Sequence, residues 1–442
     1  MKDKMKDRID RFIEVKKDQI INDIFDLIRF ESIHGRVREN QSCLKHFLQR
    51  ASDMGFKTMV TKAFDAGVVE MGQGEEILGI LVHLDVVDIG DPDKWETDPF
   101  EGVLRDGFLW GRGTVDDKGA AVMSLYAMKA VERLGLPFQR KVWLIVGTAE
   151  EGEWTDIENF KNEFPLPDFG FSPDGEFPIY NIENGYADIE LHFYKDKEGI
   201  SKLKGGLSPN TIPSKAEIRL EDGRSFIYHG ISAHSSTPEN GDNAIIKLCK
   251  NLSREVEFDF VRFVNHCLGQ DYYVGKLAID DGRDSFNGEY VGRTTVVPTV
   301  ISSDYEGVKL IVNIRQKYGT SKQDIMNAFA NIAEEYSYKA ILKDYLEPMR
   351  VSRNLPFLKI MNQVYERYGL KGGFQVAAGT SYAKALKNFV SWGPVFLTDP
   401  SCAHMENERL SVNTMILAAK LYAMFIGQMT LKEQREDYKN GL

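Results

Sequence analysis

Nearly continuous apolar runs alternate with amphipathic segments in the first part of the chain. Isoleucine, leucine and phenylalanine recur at helical spacing over residues 20–28, which predicts an amphipathic helix. The runs at 77–84 (ILGILVHL) and 141–146 (KVWLIV) are typical of strands buried on both faces, and the segment at 120–136 between them has the pattern of a helix. This order of strand, crossover helix and strand predicts a mixed, largely parallel sheet of the α/β class.

The pattern changes near residue 185 and reverts near residue 346. Between these points short alternating strands and amphipathic helices are predicted at residues 186–193, 216–220, 244–251, 307–314 and 322–336. A helix and a buried strand then restore the first pattern at residues 358–368 and 389–392. We therefore predict a discontinuous catalytic domain, residues 1–184 and 347–442, interrupted by an inserted α+β lid domain, residues 185–346.

Composition and charge exclude several classes of protein. With 442 residues, 43% hydrophobic and 27% charged, the chain is long enough for two globular domains and is unlike a disordered or fibrous protein. Its 55 Lys and Arg against 66 Asp and Glu give a net charge of −11, which argues against binding to nucleic acid or to an anionic membrane surface. The four cysteines form no close pair or CxxC motif, so neither a disulfide framework nor a zinc ribbon is indicated.

Neither end of the chain has the pattern of a targeting or membrane segment. The N-terminus alternates charges and lacks the apolar stretch of a signal peptide, so we expect a cytoplasmic protein. The longest apolar run near the C-terminus, residues 415–426, is too short to span a bilayer and is better explained as a buried helix. The charged run that follows it, residues 432–439, has the pattern of a solvated helix end.

Polar side chains that can carry chemistry follow the two buried strands. His83 and Asp85 are two residues apart, so they share a strand face, and Asp85 can hold the ring of His83 and leave its other nitrogen for a metal. Glu150 and Glu151 follow the second strand, where one glutamate can ligate a metal while the other transfers protons. Taken singly, each has an ordinary explanation, as a satisfied core histidine or as a solvated loop.

Three further segments add carboxylates and an imidazole. The glycine-punctuated turn 111–119 (GRGTVDDKG) presents Asp116 and Asp117 just before a helix. Asp174 lies in an apolar, turn-forming run, and His404 precedes the C-terminal helix. A helix N-cap, a turn aspartate and a loop histidine are the ordinary explanations of these residues. Apart from Asp85, which can hold the ring of His83, these segments supply two imidazoles and three carboxylates, with a spare Asp and a spare Glu beside them. This donor set suits zinc, and also manganese or cobalt.

Six motifs follow one another in a fixed order: HLD, DPxxWxxDPF, GRGxxDDKG, GTxEEG, FxPD and HxxNE, beginning at His83, Asp91, Gly111, Gly147, Phe171 and His404. This order resembles that of the M20 metallopeptidases, in particular the bacterial dipeptidases of the PepV type. The similarity extends from residue 83 to residue 408 and so covers most of the chain.

The resemblance implies two divalent metal ions per chain, held by five ligands at His83, Asp116, Glu151, Asp174 and His404. Asp116 would bridge the ions, with His83 and Asp174 completing one site and Glu151 and His404 completing the other. A shared carboxylate of this kind allows two ions to lie about 3.5–4 Å apart. Zinc is the leading candidate, and manganese and cobalt are the alternatives.

The resemblance also implies roles beside the metal ligands. Glu150 matches the general base that takes a proton from the metal-bridging water, and Asp85 matches the carboxylate that orients His83. The family places a cis peptide after the bridging aspartate, here between Asp116 and Asp117.

The predicted lid contains further matches. The segment at 230–244 (GISAHSSTPENGDNA) is similar to a family segment whose histidine, here His234, stabilises the developing oxyanion. Asn210 and Arg315 match substrate-binding positions, and an arginine can bind the free carboxylate of a peptide through two parallel hydrogen bonds. Gly379 and Thr380 resemble the loop that also receives this carboxylate.

Three functions are consistent with these residues. The leading hypothesis is a metal-dependent dipeptidase that hydrolyses dipeptides and short peptides with a free C-terminal carboxylate by means of a water bridged between two metals. A deacylase of N-acyl amino acids, of the acetylornithine or succinyl-diaminopimelate type, would use the same core. The long stretch at 185–346 favours the dipeptidase. A non-catalytic peptide-binding relative is the third alternative, although no ligand is missing and Glu150 is present.

The length of the lid also bears on the oligomeric state. In relatives with a shorter lid, the histidine that matches His234 comes from a partner subunit, whereas the dipeptidase type completes its own site. We therefore expect a monomer, with a dimer as the alternative, and a small peptide as the binding partner.

Overall fold

The chain divides into two units, each described here by itself. The computed structural model describes residues 2–196, 198–268, 272–273 and 277–431, so the charged run at 432–439 lies outside the described residues. Unit 1 comprises Met1–Asn181, Val351–Gln375 and Ser381–Leu442, and unit 2 comprises Ile182–Arg350 and Val376–Thr380.

Nine α-helices occur in the described part of the chain: α1 (Lys2–Ile28), α2 (Val37–Asp53), α3 (Lys118–Glu132), α4 (Thr155–Glu163), α5 (Ala244–Leu252), α6 (Asp259–Cys267), α7 (Lys322–Asn331), α8 (Pro356–Arg367) and α9 (Val412–Thr430). The amphipathic pattern at 20–28 lies in α1, whose buried residues include Ile20, Ile24 and Ile28. The apolar run at 415–426 lies in α9 and is mostly buried, as the sequence predicted. None of the described helices combines the length and the apolar character needed to cross a membrane.

The strands are β1 (Lys57–Val60), β2 (Gly67–Gly72), β3 (Ile77–His83), β4 (Val103–Arg105), β5 (Phe108–Trp110), β6 (Lys141–Gly147), β7 (Phe169–Ser172), β8 (Glu176–Phe177), β9 (Ile179–Glu183), β10 (Tyr186–Phe193), β11 (Ile200–Gly205), β12 (Lys215–Leu220), β13 (Ser225–His229), β14 (Ser285–Phe286), β15 (Glu289–Tyr290), β16 (Thr295–Asp304), β17 (Gly307–Arg315), β18 (Tyr338–Leu346), β19 (Met349–Arg350), β20 (Phe374–Ala377), β21 (Phe389–Trp392), β22 (Val395–Phe396) and β23 (Arg409–Ser411).

The large sheet of unit 1 is mixed, with parallel strands at its centre. Its strands follow the order β1-β2-β6-β3-β7-β21-β9. The pairs β6–β3, β3–β7 and β7–β21 are parallel, whereas β1, β2 and β9 pair in the antiparallel sense. All seven residues of β3 are buried, as its apolar run predicted. The predicted α/β fold with a mixed sheet is therefore confirmed, and the parallel pairing is confined to the centre of the sheet.

Unit 2 is built on an antiparallel sheet of seven strands in the order β13-β12-β11-β16-β17-β10-β18. Inward-facing residues of β10, including Ile189 and Leu191, share one hydrophobic core with α5, α6 and α7. The predicted antiparallel α+β character of the inserted segment is confirmed. Helix α7 ends at Asn331, earlier than the predicted 336, and the carbonyl of Phe329 in its last turn accepts a hydrogen bond of 2.6 Å from the Tyr338 hydroxyl.

The borders of unit 2 differ slightly from the predicted lid, residues 185–346. The unit extends to Ile182 and Arg350 because these two residues pair in the antiparallel β9–β19 ladder. It also includes Val376–Thr380, which the sequence placed in the catalytic domain. The amide of Asn184 donates to the carbonyl of Ala377 (2.9 Å), which attaches this short segment to unit 2.

Candidate active site

Three parallel strands of unit 1 end at one edge of the sheet and carry the predicted site residues there. In the register, His83 at the end of β3 pairs with Gly147 at the end of β6. Glu150 and Glu151 come three and four residues after β6, and Asp174 comes two residues after β7. Open α/β sheets place ligand sites at this carboxyl edge because the loops beyond it converge.

Two groups of potential metal ligands share Asp116. His83 Nε2 lies 2.9 Å from Asp116 Oδ1 and 4.0 Å from Asp174 Oδ2. His404 Nε2 lies 2.8 Å from Asp116 Oδ2 and 3.0 Å from Glu151 Oε1. The structure therefore brings all five predicted ligands together, and each oxygen of Asp116 faces a different imidazole.

Glu150, the predicted base, lies beside these two groups. His83, Glu150 and Glu151 offer a third combination of ligand atoms within 4.8 Å of one another. The geometry alone thus allows Glu150 to act either as a ligand or as a base. The peptide bond between Asp116 and Asp117 is cis, as the family resemblance implies.

Asp85 makes contacts that the sequence did not predict. The nearest acceptor to His83 Nδ1 is the main-chain carbonyl of Asp85 (2.9 Å), whereas the carboxylate Oδ1 lies at 3.4 Å. The carboxylate accepts hydrogen bonds from the amides of Glu150 (3.2 Å) and Glu151 (3.1 Å). His34, which matches no motif, has its Nδ1 3.5 Å from Asp85 Oδ2. Asp85 therefore orients the loop of Glu150 and Glu151 with its carboxylate, and both its main-chain carbonyl and its carboxylate lie near the ring of His83.

Asn210, His234 and Arg315 meet around one loop of unit 2. The amide of Ser235 donates to the carbonyl of Asn210 (2.8 Å), and Ser235 Oγ accepts from Arg315 Nη2 (3.4 Å). His234 Nδ1 lies 2.6 Å from the hydroxyl of Ser236. The three predicted lid residues therefore belong to one local cluster.

The guanidinium of Arg315 is buried without a carboxylate partner. Only 8% of the residue is exposed, and Nε donates to Asn313 Oδ1 (3.2 Å). No carboxylate oxygen of the described residues lies within 4.0 Å of it. Burial lowers the pKa of Arg315, and the charge of Asp188 offsets this effect only in part. A buried cation of this kind favours an anionic ligand.

Gly379 and Thr380 belong to unit 2, together with the other predicted substrate-binding residues. A Cβ at Gly379 would meet no atom within 4 Å. The Oγ1 of Thr380 is buried and makes no hydrogen bond within the described residues. This unused hydroxyl can bind a polar group of a ligand.

Comparison with known proteins decides the family. Residues 79–428 match the model of peptidase family M20/M25/M40. The chain belongs to this family. The M20 resemblance that the order of motifs indicated is therefore confirmed.

Relatives of this M20 chain include proteins named as dipeptidases. "Putative dipeptidase YtjP" of Bacillus subtilis (strain 168) is 30% identical over 463 aligned positions, which cover 94% of this chain and 98% of that protein. Among solved structures, the dipeptidase Dug1p from Saccharomyces cerevisiae has a TM-score of 0.68 at 12% identity, and the match covers 96% of this chain and 98% of Dug1p.

A second solved structure is YXEP of Bacillus subtilis, described as a dinuclear metal binding peptidase from the M20 family. It matches with a TM-score of 0.56 at 10% identity, covering 94% of this chain and 99% of YXEP. At these identities the two structures establish a shared fold.

The electrostatics of the M20 chain fit a divalent cation at the two groups around Asp116. Burial raises the pKa of Asp174 to about 8, and the charge of Asp116 adds to this shift. Burial opposes the ionisation of Asp116 as well, but the imidazoles of His404 and His83 lower its pKa below the usual range. His83 Nε2, Asp116 Oδ1 and Glu151 Oε1 are buried without a well-aligned hydrogen bond. Bound cations would satisfy these atoms and relieve the repulsion between carboxylates.

Glu408, to which the sequence assigned no role, connects the loops of Asp116 and His404. Its buried carboxylate accepts hydrogen bonds from the amides of Val115 (2.8 Å) and Asp116 (3.2 Å) and pairs with Arg112 Nη1 (2.7 Å). Because Glu408 lies four residues after His404, one carboxylate fixes both ligand-bearing loops. Glu408 is the last residue of the HxxNE motif, and this position was the sequence signal that could have indicated its role.

Proposed function

We propose that this M20 protein is a metal-dependent dipeptidase that hydrolyses dipeptides and short peptides with a free C-terminal carboxylate. The observation that carries the proposal is the pair of ligand groups that share Asp116. The dipeptidase name of its relative YtjP supports the choice of substrate class.

The donor set supports two divalent ions. His83 and Asp174 would hold one ion, Glu151 and His404 the other, and Asp116 both. Imidazole and carboxylate ligands suit zinc, our first choice, and also manganese or cobalt. Bound ions would supply Lewis-acid activation of water and stabilise the negative charge of the transition state.

The chain's own residues would move the proton and hold the substrate. We assign to Glu150 the transfer of a proton from the attacking water to the leaving amine, since its carboxylate lies beside the ligand groups and its main chain is fixed by Asp85. His234 would donate a hydrogen bond to the oxyanion. Arg315 would bind the free carboxylate of the peptide, with Asn210 and the loop of Gly379 and Thr380 as further contacts.

A panel of dipeptides with free or amidated C-termini tests this function on enzyme loaded with zinc, manganese or cobalt. We expect Arg315→Gln to lower kcat/KM about tenfold to a hundredfold for free peptides, since a hydrogen bond to a charged group contributes about 1.5–3 kcal/mol. For amidated peptides, wild type and variant should differ little. Arg283→Gln is the control, because Arg283 is 79% exposed in the same unit.

Two outcomes would reject the proposal. The first is the absence of turnover of any dipeptide with all three metals. The second is faster hydrolysis of N-acyl amino acids than of dipeptides, which would favour a deacylase.

We also propose that one chain completes its own site as a monomer. Glu150→Ala and His234→Ala should each be inactive, and mixing the two purified variants should restore no activity. Recovery of activity on mixing would mean that the two residues act across subunits and would contradict the proposal. Sedimentation velocity gives the oligomeric state of each sample independently.

A further inference from the structure

We propose that Asp156 and Tyr382 form a positioning pair that fixes the loop at 148–151, and that through this loop they set the orientation of Glu150. This inference rests on the proposed function of Glu150 as the residue that transfers the proton. Neither residue of the pair belongs to a motif or to a ligand group described above.

Among the described residues, the carboxylate of Asp156 is held by main-chain amides and one hydroxyl. Its Oδ2 accepts hydrogen bonds from the amides of Thr148 (2.6 Å) and Ala149 (3.0 Å) and from the hydroxyl of Tyr382 (2.6 Å). Its Oδ1 accepts from the amide of Ile157 (2.7 Å). Both Asp156 and Tyr382 are 0% exposed, so water does not compete for these contacts.

Two buried carboxylates together hold four consecutive amides. Asp156 accepts hydrogen bonds from the amides of Thr148 and Ala149, and Asp85 accepts them from the amides of Glu150 and Glu151. The carbonyl of Glu150 in turn accepts a hydrogen bond of 2.8 Å from the indole of Trp154. The main chain is therefore fixed on both sides of Glu150, and with it the direction of its Cα–Cβ bond.

Close packing leaves this arrangement little freedom. A Cβ at Gly147 would lie 2.4 Å from Asp156 Oδ2 and 2.7 Å from the Tyr382 hydroxyl, so the two polar groups fill the space that any other residue would need. The Tyr382 ring packs edge-on against the rings of His83 (centroids 6.0 Å apart) and Trp154 (5.4 Å). The pair thus contacts a predicted ligand as well as the glutamate loop.

Burying the charge of Asp156 is unfavourable for the stability of the fold. A role in packing alone therefore does not explain why a carboxylate lies at this position. No basic side chain of the described residues lies within 4.0 Å of its carboxylate. Burial raises the pKa of Asp156 to about 6 in spite of the hydrogen bond from Tyr382. A buried carboxylate without a cationic partner is unfavourable for stability, and such groups concentrate at functional sites.

The test compares Asp156→Ala, Asp156→Asn and Tyr382→Phe with a matched control. Asp196 in unit 2 is 5% exposed and accepts hydrogen bonds from the amides of Asp259 (3.0 Å) and Phe260 (2.8 Å), so Asp196→Ala removes the same kind of contact elsewhere. Removing a residue that orients a metal ligand typically costs about 10- to 100-fold in metal affinity or activity, and we expect a comparable effect from a residue that orients Glu150. We expect Asp156→Ala to lower kcat by this factor, with KM and the number of bound metal ions unchanged.

The other variants should follow in order. Asp156→Asn keeps an oxygen for the amides and should recover part of kcat, and Tyr382→Phe should lower kcat by less than Asp156→Ala. Asp196→Ala should leave kcat unchanged. Hydrogen exchange followed by mass spectrometry should be faster for the amides at 148–151 in Asp156→Ala and unchanged there in Asp196→Ala.

The outcomes separate this inference from the proposed function. If wild type hydrolyses no dipeptide, the proposed function fails, and hydrogen exchange at 148–151 still decides whether the pair fixes the loop. If the wild-type enzyme is active and the folded Asp156 variants have the same kcat and the same exchange rates as wild type, the proposed positioning role of the pair is contradicted. Should Asp156→Ala fail to fold, Asp156→Asn and Tyr382→Phe decide by the same measurements.

Discussion

Replacing Glu150 with glutamine is expected to lower kcat for dipeptide hydrolysis by about 10²- to 10⁴-fold, the usual contribution of a general acid or base. Glutamine has nearly the same shape but cannot take a proton from water at neutral pH. The hydrogen bonds that fix residue 150, from its amide to Asp85 and from Trp154 to its carbonyl, involve only the main chain and remain in the variant. The loss should therefore fall on kcat, with KM little changed.

Metal content distinguishes the two roles that the geometry allows for Glu150. Emission spectrometry of the dialysed Glu150→Gln variant should find the same number of ions as in wild type. A loss of one ion would instead place Glu150 among the ligands, in the combination with His83 and Glu151. Glu153→Gln is the control in the same loop, because the Glu153 side chain is 82% exposed, and its kcat should stay within about twofold of wild type.

Replacing Asp116 with alanine is expected to remove both metal ions and to reduce activity to background. Each oxygen of Asp116 faces one of the two imidazoles, at 2.9 Å from His83 and 2.8 Å from His404. Loss of this side chain therefore leaves each ligand group with only two members. Equilibrium dialysis against zinc or manganese should find two ions per chain in wild type and none in the variant at the same free metal concentration.

Thermal unfolding provides a second measurement of the same effect. A metal that binds only the folded chain stabilises it by about 2.7 kcal/mol at a free concentration of one hundred times Kd. A chelator should therefore lower the Tm of wild type, and added metal should restore it, whereas the Tm of Asp116→Ala should respond to neither. Asp106→Asn is the control, since the Asp106 side chain is 88% exposed and asparagine also adopts the positive φ of this residue, and its Tm should respond to chelator and metal as that of wild type does. Full metal binding by Asp116→Ala would contradict the shared role of Asp116.

Much of the fold was predictable because it depends on local periodicity. The apolar runs at 77–84 and 141–146 became β3 and β6, and the alternating segment at 186–193 became β10 within the same bounds. A strand buried on both faces needs apolar residues throughout, and a strand with one exposed face needs apolar and polar residues in alternation. Both patterns can be recognised from consecutive residues of the sequence. The five predicted ligands met in space because each lies at, or soon after, a strand end or a turn.

The residues whose roles were not predicted from the sequence make contacts with residues distant along the chain or with main-chain groups. Glu408 binds the amide of Gly113, from which it is 295 positions distant, and Tyr382 binds Asp156 across 226 positions. No periodicity in the sequence connects such pairs. The carboxylate of Asp85 accepts hydrogen bonds from two main-chain amides. Every residue except proline has such an amide, so residue types do not show which amides a carboxylate will bind.

The sequence by itself determined the class of sheet, the inserted unit and the residue types that converge at the strand ends. Only the tertiary structure decided that Val376–Thr380 joins unit 2 and that Asp85 and Asp156 divide four amides of one loop between them. The physical reason is that secondary structure follows from the pattern of neighbouring side chains. A buried carboxylate, in contrast, needs hydrogen-bond donors, and the donors that it binds can lie far away in the sequence and come close only in the folded chain.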